Sequence, residues 1–245
     1  MLRQLGTDLG FVPLVIGGSS TLYVLTLLAS GSELQPFSGG MNILSPSARA
    51  VLLFGKSGAY PVFGFGAWWT LLSASWLHGN LLHILFNMMW VRDLGPATAD
   101  VIGPSRTVII YTIAGVCGFL LSSLAGFFLG ALPLPLLHGA SFTMGASASI
   151  FGLLGALVHY GRISGSSFTY STALRYAVIL FVFGLIMPGV DNYAHAGGFL
   201  GGYAASAFFN PLTRERGDHL IGALACLAAT VLAILYSVVH GLGLL

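Results

Sequence analysis

The charged residues of this chain fall in clusters, and the uncharged stretches between them are long enough to cross a bilayer. A spanning helix takes about 20 mainly apolar residues. Residues 9–32, 57–91, 107–161, 176–190, 192–213 and 219–245 contain no Asp, Glu, Lys or Arg. Charged residues make up 7% of the 245, against roughly 25% in a soluble domain. Nine basic and seven acidic side chains cannot clothe a water-exposed surface of this size, and the mean hydropathy of +0.90 agrees. A soluble globular domain, a disordered chain and a nucleic-acid binder are excluded, because a net charge of +2 is too small to draw a polyanion. A membrane β-barrel would show short alternating strands, and none run through the chain. The expected fold is all-α, a polytopic transmembrane helical bundle whose surroundings are the lipid bilayer.

Seven spans fit the uncharged stretches, at about 10–29, 80–99, 106–127, 146–161, 174–189, 193–210 and 220–240. Pro133 and Pro135 divide the long block between Arg106 and Arg162. The first apolar run exceeds the usual core of a signal peptide, so it is read as a retained span. With the N-terminus inside, Arg3, Arg92, Arg106, Arg162, Arg175, Arg214 and Arg216 lie on the inner side. Only Arg49 and Lys56 lie outside. Basic residues favour the cytoplasmic side, so the N-terminus is placed in the cytoplasm and the C-terminus outside. The outer loop at about 31–79 holds Phe54, Phe63, Phe65, Trp68 and Trp69 among its Gly, Ser and Pro residues. That aromatic content predicts a structured segment in the outer interface. Cys117 and Cys226 read as small apolar core residues, and no Cys/His spacing resembles a metal site.

Ionisable and strongly polar groups inside spans are costly and point to function. His138, His159, His219 and His240 fall at span ends or in loops and read as interfacial residues. His78, His83 and His195 do not. The second, fourth and sixth spans all enter from outside. They deliver His78, His83 and Asn87, then Ser147, then His195 to one depth below the outer surface. His83 and Asn87 are four residues apart and share a helix face. A serine within reach of a histidine is the kernel of nucleophilic acyl transfer. A serine at a helix N-terminus also sits beside unpaired N–H groups that favour a developing negative charge. Small residues support close packing here. Gly145 and Gly152 flank Ser147, and Gly197, Gly198, Gly201 and Gly202 form two pairs spaced four apart. The fourth span is too short to cross a core of about 30 Å at 1.5 Å per residue with Ser147 still at the surface. Its start is therefore expected below the surface, beside a water-filled cavity.

These residues resemble the rhomboid family of intramembrane serine proteases over about residues 68–210. His78, His83 and Asn87 match the family's histidine-and-asparagine motif. Gly145-x-Ser147 matches the nucleophile motif, and His195-x-x-Gly198-x-x-x-Gly202 matches the histidine-base motif. The resemblance implies a Ser147–His195 dyad without a third acid, leaving Asp191 as a loop or cap residue. It implies an oxyanion hole from His83, Asn87 and the Ser147 N–H, with His78 as a supporting polar group and Phe151 packed on the base. It further implies a six-span core over residues 1–210 and a seventh C-terminal span over 211–245, with residues 31–79 as a membrane-embedded loop. The implied activity is cleavage of single-span membrane proteins, with no cofactor. The competing reading is an inactive relative that binds client helices. A prokaryotic plasma membrane is the expected location. Two positions depart from the family pattern. Ala148 follows the serine where the family usually has Gly, placing an extra methyl near the oxyanion site. Thr70 follows Trp69 where an arginine usually ties the loop.

Overall fold

A computed structural model describes residues 10–37, 39–40, 42–130 and 139–242. Arg3, Pro133, Pro135 and His138 lie outside the described residues. Among the described residues, seven helices have 18 residues or more. They are α1 (Phe11–Ser30), α4 (Leu81–Ile102), α5 (Pro104–Leu129), α6 (Ser147–Ser164), α7 (Ser167–Ile186), α8 (Asn192–Phe209) and α9 (Gly217–Leu242). Two short helices, α2 (Ala48–Leu53) and α3 (Thr70–Ser73), and a hairpin of β1 (Gln35–Phe37) with β2 (Ile43–Ser45) lie between α1 and α4.

Local chemistry sets the helix ends. Asn80 caps α4 by accepting the His83 N–H at 2.7 Å. Gly103, at φ 105, stops α4, and Pro104 opens α5 at its first position. Gly165 ends α6 in the left-handed conformation, and Ser166 then caps α7 by accepting the Thr169 N–H at 3.3 Å. The largest departure from the expected spans is at α7, which begins seven residues before position 174. α6 likewise runs past Gly161 to Ser164. Charge clusters mark where side chains reach water, and long arginines do so while their backbone is still helical.

Helices α1, α5, α7 and α9 are long and apolar enough to cross a membrane on length and composition alone. The other three are more polar, and their surroundings explain it. Thirteen of the 18 residues of α6 are buried, including Ile150, Leu153 and Leu154. α8 packs most extensively against α6 and α5, so its glycines and serines meet protein. The architecture is a polytopic helical bundle, with α6 at its centre and α1, α7 and α9 presenting apolar side chains outward.

The segment between α1 and α4 is structured throughout its described residues. The β1–β2 hairpin pairs Gln35 with Ser45 and Phe37 with Ile43. It is tied to α1 by the Tyr23 hydroxyl, which donates to the Leu44 carbonyl at 2.5 Å. α2 is capped by Ser47, whose N–H donates to Ser30 Oγ at 2.8 Å.

Candidate active site

The glycines of α8 form two stripes, and each faces a different helix. A Cβ on Gly197 would lie 2.7 Å from the Cys117 carbonyl, and one on Gly201 would lie 2.6 Å from Cys117 Cβ, both on α5. A Cβ on Gly198 would overlap the Ala148 carbonyl, and one on Gly202 would overlap the Gly152 carbonyl, both on α6. α8 is thus wedged backbone to backbone between α5 and α6.

That close approach brings the first turn of α8 to the first turn of α6. Ser147 Oγ lies 3.0 Å from His195 Nε2. Phe151, one turn along α6, stacks on the His195 ring with centroids 4.2 Å apart and planes 14° apart. His195 is buried, and among the described residues its Nδ1 has no hydrogen-bond partner. Asp191 is engaged elsewhere. One carboxylate oxygen caps α8 by accepting the Ala194 N–H at 3.0 Å, and the other accepts from the Ser122 hydroxyl at 2.5 Å.

His83 and Asn87 converge from α4. The Gly79 N–H donates to His83 Nδ1 at 3.3 Å. A ring nitrogen that accepts carries no proton, so the neutral His83 ring bears its proton on Nε2. A Cβ on Gly145 would lie 2.6 Å from that Nε2 and 3.8 Å from Asn87 Nδ2. Gly145 itself adopts φ 132, which disfavours any side chain. Asn87 donates one amide hydrogen to the His83 carbonyl at 3.0 Å and retains a second. Two donors therefore gather beside the residue two positions before Ser147. The helix start adds unpaired backbone N–H groups. His78 is fully buried, edge-on to His83 with centroids 5.1 Å apart.

The segment leading to Ser147 is irregular and is braced by the segment between α1 and α4. Ser57 and Thr143 exchange two backbone hydrogen bonds, of 3.1 and 2.7 Å. The Ala59 and Tyr60 N–H groups donate to the carbonyls of Ala140 and Ser141, and the Gly145 N–H donates to the Ala74 carbonyl at 2.9 Å. Beside this bridge, Lys56 stands over the Phe142 ring at 5.6 Å, and burial lowers its pKa from the ordinary lysine value.

Both departures from the family pattern are accommodated. The Ala148 methyl lies in an apolar cluster with Phe119 and Ala194, against α5, where Gly118 leaves room for it. A Cβ on Gly118 would come within 2.8 Å of that methyl. In place of the arginine, the Thr70 hydroxyl is hydrogen-bonded to the Ala67 carbonyl at 2.6 Å and to Ser57 Oγ at 3.1 Å. His159 differs from its interfacial expectation. It is buried, and its Nδ1 is 3.0 Å from Ser206 Oγ, joining α6 to α8. Sequence reasoning missed Ser57, Thr143 and Gly118. Each is a small residue with no periodicity of its own, and only the partner segment reveals its use.

A family profile described as the Rhomboid domain matches residues 66–212. Rhomboid protease GluP of Bacillus subtilis (strain 168) is 32% identical over 170 residues, covering 68% of this chain and 31% of that protein. RHOMBOID-like protein 4 of Arabidopsis thaliana is 32% identical over 165 residues, covering 66% and 39%. Rhomboid-like protease 5 of Toxoplasma gondii is 29% identical over 170 residues, covering 64% and 18%. The chain matches well under half the length of each of these relatives. With more than half of the chain inside the Rhomboid domain match, the chain belongs to the rhomboid family.

Proposed function

We propose that the chain is an intramembrane serine endopeptidase that cleaves single-span membrane proteins within or near the bilayer. The observation that carries this reading is the 3.0 Å contact of Ser147 Oγ with His195 Nε2 at the start of the most buried helix. With the ring proton of His195 on Nδ1, Nε2 accepts the Ser147 hydroxyl proton as Oγ attacks the scissile carbonyl. The stack on Phe151 holds the ring in that orientation. The carbonyl oxygen becomes an oxyanion, facing the Ser147 N–H, His83 Nε2–H and the free Asn87 amide hydrogen. His195 returns its proton to the leaving amine, giving an acyl-enzyme. Water, deprotonated by the same Nε2, then attacks the ester and releases the second product with Ser147 restored. No acid takes part in this scheme: among the described residues His195 Nδ1 has no hydrogen-bond partner, and Asp191 accepts from the Ala194 N–H and the Ser122 hydroxyl.

A substrate helix must unwind to present its carbonyl, which exposes backbone polar groups in an apolar setting. Helices that unwind easily and carry small residues at the cut are the favoured substrates. The reading includes seven spans, a core over residues 1–210 with 211–245 as an added span, and a prokaryotic plasma membrane with the N-terminus cytoplasmic. The test is cleavage of a labelled single-span substrate by purified protein in proteoliposomes. Wild type cuts it and Ser147→Ala does not. Equal cleavage by both would refute the protease reading, and absence of cleavage with retained substrate binding would favour a non-catalytic member that holds client helices.

A further inference from the structure

We propose that α9 straps the outer loop to the bundle, and that Trp69, Tyr236 and His240 are positioning residues for the segment that carries Ser147. The kinetic arm of this proposal rests on the protease reading, and the structural arm does not.

Trp69 sits one residue before α3 and packs edge-on against two rings of α9. Its centroid is 4.6 Å from Tyr236 at 79° and 5.6 Å from His240 at 78°. Tyr236 and His240 are themselves parallel, with planes 9° apart. They lie four residues apart, on one face of α9, and together form the wall that Trp69 meets. The same stretch of α9 closes on α2 and the turn after it. A Cβ on Gly55, which adopts φ 97, would lie 2.9 Å from Ser73 Cβ and 3.2 Å from Ser237 Oγ. A Cβ on Gly241 would lie 2.8 Å from Leu53 Cδ1. The other end of α9 is anchored too. Glu215, two residues before α9, accepts the Arg106 N–H at 2.8 Å. The buried Arg106 guanidinium holds the carbonyls of Phe209, Asn210 and Thr213 at the end of α8. α9 is thus fixed at one end to the frame of the bundle and at the other to the outer loop.

From Trp69 the contacts continue to the nucleophile. Thr70, the next residue, is hydrogen-bonded to Ser57 Oγ. Ser57 is bridged by two backbone hydrogen bonds to Thr143, four residues before Ser147. A loop displaced at Trp69 carries Thr70 and Ser57 with it, and the Ser57–Thr143 bridge moves the strand of chain that ends at Ser147. The position of the serine, the first residue of α6, relative to His195 then loosens without any substitution in α6 or α8.

The test uses the full chain in nanodiscs, with Cys117 and Cys226 replaced by Ala and a nitroxide on Phe142→Cys. Its first readout is label mobility, and its second is the rate at which a fluorophosphonate modifies Ser147. Tyr236→Ala/His240→Ala is expected to free the label and to slow modification about fivefold, the worth of an aromatic pair. His240→Phe, which keeps a ring, is expected to restore both. In a Thr70→Val background the α9 change is expected to cost less than in wild type, because the path is already cut. Should the double variant not fold, Tyr236→Leu takes its place. An unchanged label and rate in a folded variant, or fully additive losses with Thr70→Val, would overturn the strap. If wild type itself is not modified, the protease reading fails, while label mobility still decides the strap.

Discussion

Gly198→Ala tests whether the approach of α8 to α6 is what sets the dyad. The new Cβ would lie 2.8 Å from the Ala148 carbonyl carbon and 3.1 Å from its Cα, and would overlap the carbonyl oxygen. Ordinary carbon contacts are about 3.5–4.0 Å, so the two backbones must part by roughly 1 Å at this level. His195 is one turn away on the same helix. Adding about 1 Å to the 3.0 Å Ser147–His195 contact gives roughly 4 Å, outside hydrogen-bonding range. Loss of general-base help costs about 10²–10⁴-fold in rate, while overpacking costs about 1–3 kcal/mol in stability. The assay is cleavage of a single-span substrate in proteoliposomes, with thermal unfolding in detergent measured alongside. Gly17→Ala on α1 is the control, since a Cβ there meets no atom within 4 Å. Gly198→Ala is expected to lose at least 100-fold in kcat, an estimate from the loss of base catalysis, while still folding. Gly17→Ala is expected to retain both activity and stability. A folded Gly198→Ala protein with wild-type kcat would show that helix approach at this glycine does not govern the reacting geometry.

Asp191→Asn preserves an N-cap and is expected to stay within about tenfold of wild type. A loss near the roughly 10⁴-fold of an amidated triad acid, read from kcat, would instead make Asp191 a third catalytic member. Phe151→Ala removes the ring stacked on His195 and is expected to lower kcat about 2- to 12-fold, with Phe151→Tyr restoring it. Asn87→Ala is expected to cost about 10²-fold or more in kcat with little change in KM, as for a donor that acts only on the oxyanion. Arg106→Leu removes the donors to the carbonyls of Phe209, Asn210 and Thr213, and thermal unfolding is expected to show a loss of about 2 kcal/mol.

Much of the site was readable because its signals lie within single elements. The four-residue spacing of His83 and Asn87, the paired glycines of α8 and the position of Ser147 at a helix start are properties of local period and capping. The positions of the few charges located the long helices. What the sequence could not show is which element faces which. Gly118 leaves room for Ala148, and nothing in either segment announces the other. Ser57 meets Thr143 across a separation of 86 positions in the chain, through backbone groups that every residue possesses. Thr70 is hydrogen-bonded to Ser57 Oγ at 3.1 Å, a contact that depends on where Ser57 lies. His159 reads as interfacial from its place at the inner end of the fourth span, and its buried contact with Ser206 on α8 depends on a partner that the span itself does not reveal. The helix ends were misjudged for a related reason, since charge reports the reach of side chains rather than the end of backbone hydrogen bonding.

As proposed, Ser147 is a nucleophile activated by His195. Intact-mass and peptide analysis of the protein after treatment with a fluorophosphonate tests it most directly. A single adduct, located on Ser147, is expected in wild type and is lost in folded His195→Ala. An adduct at another serine, or equal modification of Ser147 with and without His195, would contradict it.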